Sequence, residues 1–391
     1  MRVQRIYLDH SATTPLRAEA AEAMRAMLAE GDFNPSSLHA EGRKARALLD
    51  DARQRVAASL GVDASEITFT SGGTESDNLA IAGVMQAAPR PAHVLSSAIE
   101  HSAVLGSLDR LEGSGIKTTR LAVDRDGLVD VSRFEAALRP ETRLATIAYA
   151  NNEIGTVQPI MELARIAQRR GVLFHSDAVA AAGWLPMEVA ALRVDLLSLS
   201  AHKFGGPKGT GLLYVRRGVP FGPQLGGGAQ EFGRRPGTED LLGIVGLAVA
   251  LELAVRDQEP EAARVTALRD RLEGAIVASI TGARVIAGGA LRVANILNVG
   301  FAGVDSAALL IALDLAGVAV SAGSACASGA PEPSHVLAAL GIEAEWQRGA
   351  IRFSLGHATS AGEIDRAIEL LPQIVAGLRQ GRPAASGGWV D

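Results

Sequence analysis

The chain has 391 residues, 48% of them hydrophobic, and 38 lysines and arginines stand against 43 aspartates and glutamates for a formal net charge of −5. That length points to two domains rather than one small core, and basic residues scattered among acidic ones exclude a phosphate-tracking stripe and, with it, direct nucleic-acid binding. The longest apolar stretch, Leu241 to Val255, contains Glu252 and falls short of the roughly 20 residues that cross a bilayer, so it reads as a buried helix and no membrane association is expected.

In chain order, Met1 to Arg5 leads directly into strand-like Ile6-Tyr7-Leu8, without the apolar core and cleavage site of a signal peptide, and a cytoplasmic protein is expected. Apolar spacing predicts helices over Ala18 to Leu28 and Gly42 to Leu60. From Glu66 onward, short apolar or β-branched runs alternate with longer alanine-rich amphipathic stretches: Ile67 to Thr70, His93 to Ser96, Lys117 to Leu121, Leu144 to Tyr149, Val172 to His175, Leu196 to Ser198 and Leu212 to Val215. Such alternation predicts an α/β fold with a mostly parallel sheet covered by helices on both faces. After a helix beginning near Thr238, a long charged helix from Glu259 to Ile280 opens a second α/β layer, with strands at Ile296 to Val299 and Ile351 to Phe353 and helices at Ser306 to Leu315 and Gly362 to Leu378. The end, Gly381 to Asp391, is rich in Gly, Ala, Ser and Pro and reads as a loose tail.

Five segments carry the chemistry. Ser200-Ala201-His202-Lys203 follows the run Val194 to Leu199 and precedes the glycine-rich Gly205 to Gly211, placing one amine at a strand end where it can be desolvated enough to form a Schiff base. In Thr70-Ser71-Gly72-Gly73-Thr74, two glycines let the backbone curl close to a ligand and the helix start favours a phosphate, with Thr74 as side-chain donor; taken alone, the segment reads equally as an ordinary capped turn. Asp177 ends another strand 26 positions before Lys203, where a buried acid could keep a pyridinium nitrogen protonated; without the lysine it would read as a helix cap. His101, just past a third strand, could stack on a cofactor ring and move protons, while His10, His39, His93 and His357 read as structural. The only cysteine, Cys326, can form neither an intrachain disulfide nor a multi-thiolate metal site, and the small residues from Ser321 to Ser334 suit a loop-borne nucleophile better than a packed thiol. No metal-binding motif is present.

With these segments in view, the chain resembles, over nearly its whole length, the cysteine desulfurases of the NifS/IscS type, a branch of the class V aminotransferase group with fold-type I pyridoxal-phosphate architecture. The likeness rests on Tyr7 to Pro15, Asn34-Pro35-Ser36-Ser37, Thr70 to Asn78, Asn151 to Gly155, Ser200 to Lys203, Arg235 to Glu239, Ser321 to Cys326 and Ile351 to Gly356. It implies a large cofactor domain over 15–257 and a small domain from 1–14 and 258–391 that carries the cysteine loop, about 321–334. It further implies that Lys203 holds pyridoxal 5′-phosphate covalently, that Asp177 pairs with the ring nitrogen and His101 stacks on the ring, and that Gly73, Thr74, Ser200 and His202 hold the phosphate, Thr238 reaching the neighbouring site of a homodimer. Asn152 would serve both cofactor and substrate, and with Asn34 and the two-pronged guanidinium of Arg352 it would receive L-cysteine. Lys203 would then remove the α-proton and Cys326 take the sulfur as a persulfide, leaving L-alanine and passing sulfur to an acceptor such as an iron–sulfur scaffold or to RNA thiolation.

Two positions depart from the family pattern. Ala180 stands where the family has a glutamine that donates to the cofactor's phenolate oxygen, and Gly226 to Gly233 carries Ala229 where the family tends to have glycine, or else one extra residue, with Phe232 where an arginine is common. A selenocysteine lyase or other class V reaction, and a catalytically weakened scaffold, are the alternative readings.

Overall fold

Alternation of side chains along each strand explains how the central layer forms. In the computed structural model, which describes residues 5–31, 33–323 and 334–381, the strands are β1 Ile6–Tyr7, β2 Ile67–Thr70, β3 His93–Ser97, β4 Lys117–Leu121, β5 Thr142–Thr146, β6 Leu173–Asp177, β7 Leu196–Ser200, β8 Gly211–Val215, β9 Ala283–Val285, β10 Ile296–Phe301, β11 Val318–Ala319 and β12 Ala350–Ser354. Seven of them make one sheet in the order β2-β8-β7-β6-β5-β3-β4. Successive residues point to opposite faces: Leu95, Ala145, Leu197 and Leu212 join the core under the helices Ala18–Glu30, Ala40–Leu60, Ile160–Arg169 and Leu241–Arg256. Their neighbours Val94, Leu144, Leu196 and Leu213 join a second core under Gly73–Ala87 and Ser102–Gly113. The fold is therefore α/β with a mixed, mostly parallel sheet covered on both faces.

The one antiparallel strand decides where chemistry can gather. Because β2 and β7 both pair antiparallel with β8, they run parallel to each other, and the C-terminal end of β2 lies at the same sheet edge as the ends of β3, β5, β6 and β7. Register places Thr70 and Ser200 on either side of Gly211. Open α/β sheets bind ligands at this edge, outside the carboxyl ends of the strands.

The apolar stretch anticipated as a buried helix is the helix Leu241–Arg256, capped by Asp240, whose carboxylate accepts from Gly243 N at 3.1 Å. It is buried along most of its length rather than along one stripe, as expected for a helix enclosed by protein. A third core lies beyond it, where β12-β10-β9 and the β1-β11 pair are covered by the helices Gln258–Ser279 and Ala361–Arg379. Trp184 packs against this core and against that of the large sheet. Strands β9 and β11 escape the sequence reading because two or three residues carry too little periodicity to register. Among the described residues no helix is long and apolar enough to cross a membrane. Cys326 and the tail from Arg382 lie outside the described residues.

Candidate active site

The strand ends meet around an open cleft of about 210 Å³ lined by Gly73, Thr74, His101, Asn152, Asp177, Ser200, His202, Lys203 and Arg352. Each arrives by a short path. Asp177 is the last residue of β6 and Ser200 the last of β7, whose exit turn Ala201–Lys203 carries His202 and Lys203. His101 caps the helix that follows β3.

One wall is an anion cradle. Gly72 stands before the helix Gly73–Ala87 with φ 147° and ψ −178°, a conformation that only glycine adopts without strain, and no side chain caps the helix. The first-turn amides therefore have no carbonyl of their own helix to bond and suit a phosphate. The approach is close because Gly211 has no side chain: a Cβ there would sit 2.6 Å from Gly72 Cα and 2.7 Å from Leu199 O. Ser200 Oγ lies 3.7 Å from the position a Cβ on Gly72 would occupy, so the hydroxyl faces the turn. His202 Nδ1 is 3.2 Å from Thr13 Oγ1, and burial next to Lys203 and Lys208 pushes its pKa down to about 4, so it is neutral at pH 7.

The acid and base groups lie beside this cradle: a Cβ on Gly73 would sit 2.8 Å from Val179 Cγ2, two residues past Asp177. Asp177 Oδ1 accepts from Val179 N at 2.9 Å; burial raises its pKa, while His101, that amide and Lys203 oppose the rise. His101 Nδ1 accepts the Ala103 amide at 3.1 Å, which leaves its proton on Nε2, and burial lowers its pKa. Lys203 Nζ donates to the carbonyls of Ser11 and Ala12, the latter at 3.1 Å, which ties the N-terminal segment to the sheet.

Arg352 is the central residue of β12, an outer strand of the small sheet, with its side chain 1% exposed. Its guanidinium donates to Asp9 Oδ1 at 2.9 Å and to Asn152 O at 3.0 Å, and its Nε is buried without a partner. Both prongs are thus engaged within the protein, and a carboxylate ligand gripped by two nitrogens must displace Asp9. Arg352 also bridges by backbone to Ser321 at 2.7 Å, and across the cleft Ser334 Oγ donates to Glu153 Oε2 at 2.5 Å. Gly323 and Ser334, the flanks of the segment 324–333, are so held near the substrate side, and Cys326 is three residues beyond Gly323 in the chain.

Two residues anticipated for the site are not brought to this cleft within one chain. Asn34 is exposed and uses Oδ1 to accept Ser36 N at 2.9 Å, a local turn bond that its spacing to Ser36 dictates. Thr238 is exposed on the turn after Arg235, whose guanidinium reaches Glu75 beside the cradle at 2.9 Å. The altered loop before it is fixed internally. Glu231, Phe232 and Gly233 have φ of 49°, 58° and 75°, and Glu231 is buried against Arg53, taking its two terminal nitrogens at 2.5 and 2.8 Å and Phe69 N at 2.8 Å.

The cleft also holds residues that the sequence reading passed over. Asp77 lies one helical turn past Gly73 and lines the cleft, as does His10, which was read as structural. The i, i+4 spacing from Gly73 is the signal that could have found Asp77. Asp77, His101 and Asp177 bring one donor atom each within 4.8 Å of one another, the nearest approach to a metal-ligand set among the described residues. The Lys203 ammonium, which acts electrostatically on both His101 and Asp177, already brings a cation to this cluster.

Residues 6–367 match the protein family described as Aminotransferase class-V. The chain is similar to the cysteine desulfurase of Cereibacter sphaeroides, 48% identical over 379 residues that cover 96% of this chain and 97% of the relative. It is similar also to the cysteine desulfurase IscS of Dictyoglomus turgidum, 45% identical over 375 residues covering 96% and 95%. Among solved structures it resembles a NIFS-like protein, with a TM-score of 0.90, 36% identity, and coverage of 96% of this chain and 100% of that one. It likewise resembles SspA in complex with cysteine, with a TM-score of 0.79, 36% identity, and coverage of 90% and 98%.

Proposed function

This chain belongs to the aminotransferase class-V family, and on that footing we propose that it is a cysteine desulfurase that uses pyridoxal 5′-phosphate to convert L-cysteine to L-alanine and carries the sulfur away on Cys326. The observation that bears most weight is the meeting of Lys203, Asp177 and His101 in one cleft with the uncapped start of the helix Gly73–Ala87. The donor set fits the cofactor: the helix start with Thr74, Ser200 and His202 suits its phosphate, Asp177 its ring nitrogen, and Lys203 its aldehyde. When bound, the cofactor supplies an aldehyde that exchanges amines and an electron-withdrawing ring that accepts charge from the substrate Cα.

The chain's own residues do the rest. Arg352 orients the substrate carboxylate after Asp9 is displaced, with Asn152 beside it. Lys203 Nζ would remove the Cα proton, and His101 Nε2–H is placed to donate a proton within the cleft. The Cys326 thiolate forms a bond to the substrate sulfur as the substrate C–S bond breaks; the electron pair of that bond stays on the carbon fragment, which is protonated to alanine, and the chain is left with a persulfide. A two-domain division at 15–257 and 1–14 with 258–391, a cytoplasmic setting and a sulfur-acceptor protein such as an iron–sulfur scaffold belong to the same reading. A homodimer in which Thr238 completes the neighbouring site is supported by Leu225 and Phe232, large apolar side chains exposed on the stretch that leads to it. Purified protein given L-cysteine and a thiol reductant is expected to release alanine and sulfide in equal amounts. Cys326→Ser keeps cofactor absorbance but loses sulfide release; full sulfide release by that variant would favour a lyase reaction that does not use the thiol.

A further inference from the structure

Asp77 is 1% exposed, lines the cleft, and its Oδ1 is buried without a hydrogen-bond partner. The groups around it are Asp177 and His175 from β6, Ser198 from β7, and Glu100 and His101 from the segment after β3, while Lys203 acts on the neighbouring Asp177. Its nearest basic group besides His101 is His175, 3.8 Å away, and that ring is bonded at both nitrogens, to Ser198 Oγ at 2.9 Å and Thr146 Oγ1 at 2.8 Å. Burial pushes His175 down to about 3, so it offers Asp77 no positive charge at neutral pH.

Two buried carboxyls whose oxygens lie within 4.8 Å of each other raise each other's proton affinity, so the pair favours holding one proton. Asp177 has the Val179 amide, His101 and Lys203 to support a negative charge, whereas Asp77 has the Ser198 hydroxyl alone. Resting on the cofactor assignment above, we propose that Asp77 and Asp177 share a single proton, Asp77 keeping it so that Asp177 carries the one negative charge that faces a ring nitrogen in the cleft. Asp77 is thus a positioning residue acting through Asp177. Burial and the Asp177 charge both raise its proton affinity, as the arrangement requires. Removing the Asp177 charge reverses this: Asp77 then releases its proton to solvent as pH rises, and a carboxylate returns to the same corner of the site.

The test compares apo-protein affinity for pyridoxal 5′-phosphate across pH in wild type, Asp177→Asn and the double variant Asp77→Asn/Asp177→Asn. The single variant is expected to bind more weakly than wild type at low pH and to regain at least about tenfold as pH rises through the Asp77 titration, a gain of about one pH unit's equivalent. The double variant is expected to bind weakly at every pH. Identical affinities and pH profiles for the two variants would overturn the proposal, because a merely structural Asp77 adds no pH-dependent gain. Should Asp177→Asn not fold, Asp177→Ser with and without Asp77→Asn is read in the same way. Failure of the cofactor assignment is separately visible, since wild type would then take up no pyridoxal phosphate.

Discussion

Replacing Glu231 by glutamine isolates the contact that holds the strained loop ahead of Thr238. The Glu231 carboxylate is 1% exposed and the Arg53 side chain 6%, so neither charge is screened by water. Glutamine keeps an acceptor for Phe69 N but leaves the Arg53 guanidinium, which also donates to Ile67 O at 2.8 Å and stacks 4.7 Å over the Phe69 ring, buried without a counter-charge. Removing one partner of a buried pair costs about 3–5 kcal/mol, and the retained amide bond places Glu231→Gln near the lower end. For a chain of 391 residues the unfolding entropy is about 0.8 kcal/mol/K, so a loss of about 3 kcal/mol lowers Tm by about 4 °C. Urea unfolding and thermal melts read the change. The double variant Arg53→Met/Glu231→Gln removes both charges while keeping an acceptor for Phe69 N, and recovers part of the loss. A Glu231→Gln protein as stable as wild type, or a double variant as damaged as the single one, would refute the assignment of the pair as the anchor of this loop.

Further outcomes follow from buried acids and from the departure at position 180. Burial pushes Glu100 up to about 8, with Asp177 adding to the rise. Its folded pKa is above that of the unfolded chain, so the folded protein binds more protons in the window between them, and stability falls as pH rises from about 4.5 towards 8. Glu100→Gln, which keeps an acceptor for Ala148 N, is expected to flatten that slope, its melting temperature gaining on wild type from pH 5 to pH 9; parallel pH profiles would contradict this. Ala180 lines the cleft with a methyl group where the family has a donor. Ala180→Gln restores a hydrogen bond to a charged oxygen worth about 1.5–3 kcal/mol, and by drawing charge from the cofactor it is expected to lower the pH midpoint of its absorbance by about one to two units. Superimposable titrations would show that the glutamine side chain does not reach.

Local pattern made the large sheet and its edge readable. Short apolar runs bounded by turns marked β2 to β8, and a functional side chain at the end of a run, such as Asp177 or Lys203, needs only the strand to be placed. What stayed hidden depends on contacts between distant parts of the chain. The motif around Arg352 leads to the expectation of a carboxylate receptor, but its pairing with Asp9, 343 positions away, has no signal in the sequence. Asp77 looked like one more helix residue until the β2-β8-β7 register turned its face towards Asp177. His10 reads as structural because it sits in the turn after β1, where no strand end marks it, and Asn34 reads as functional from a motif whose visible role within one chain is a turn.

The central claim is that the Lys203 amine bonds covalently to a vitamin B6 aldehyde in this cleft. Protein loaded with pyridoxal phosphate, reduced with borohydride and digested, is expected to carry a phosphopyridoxyl adduct on the peptide containing Lys203. An unmodified Lys203 peptide, or an adduct found only on other lysines, would contradict the account.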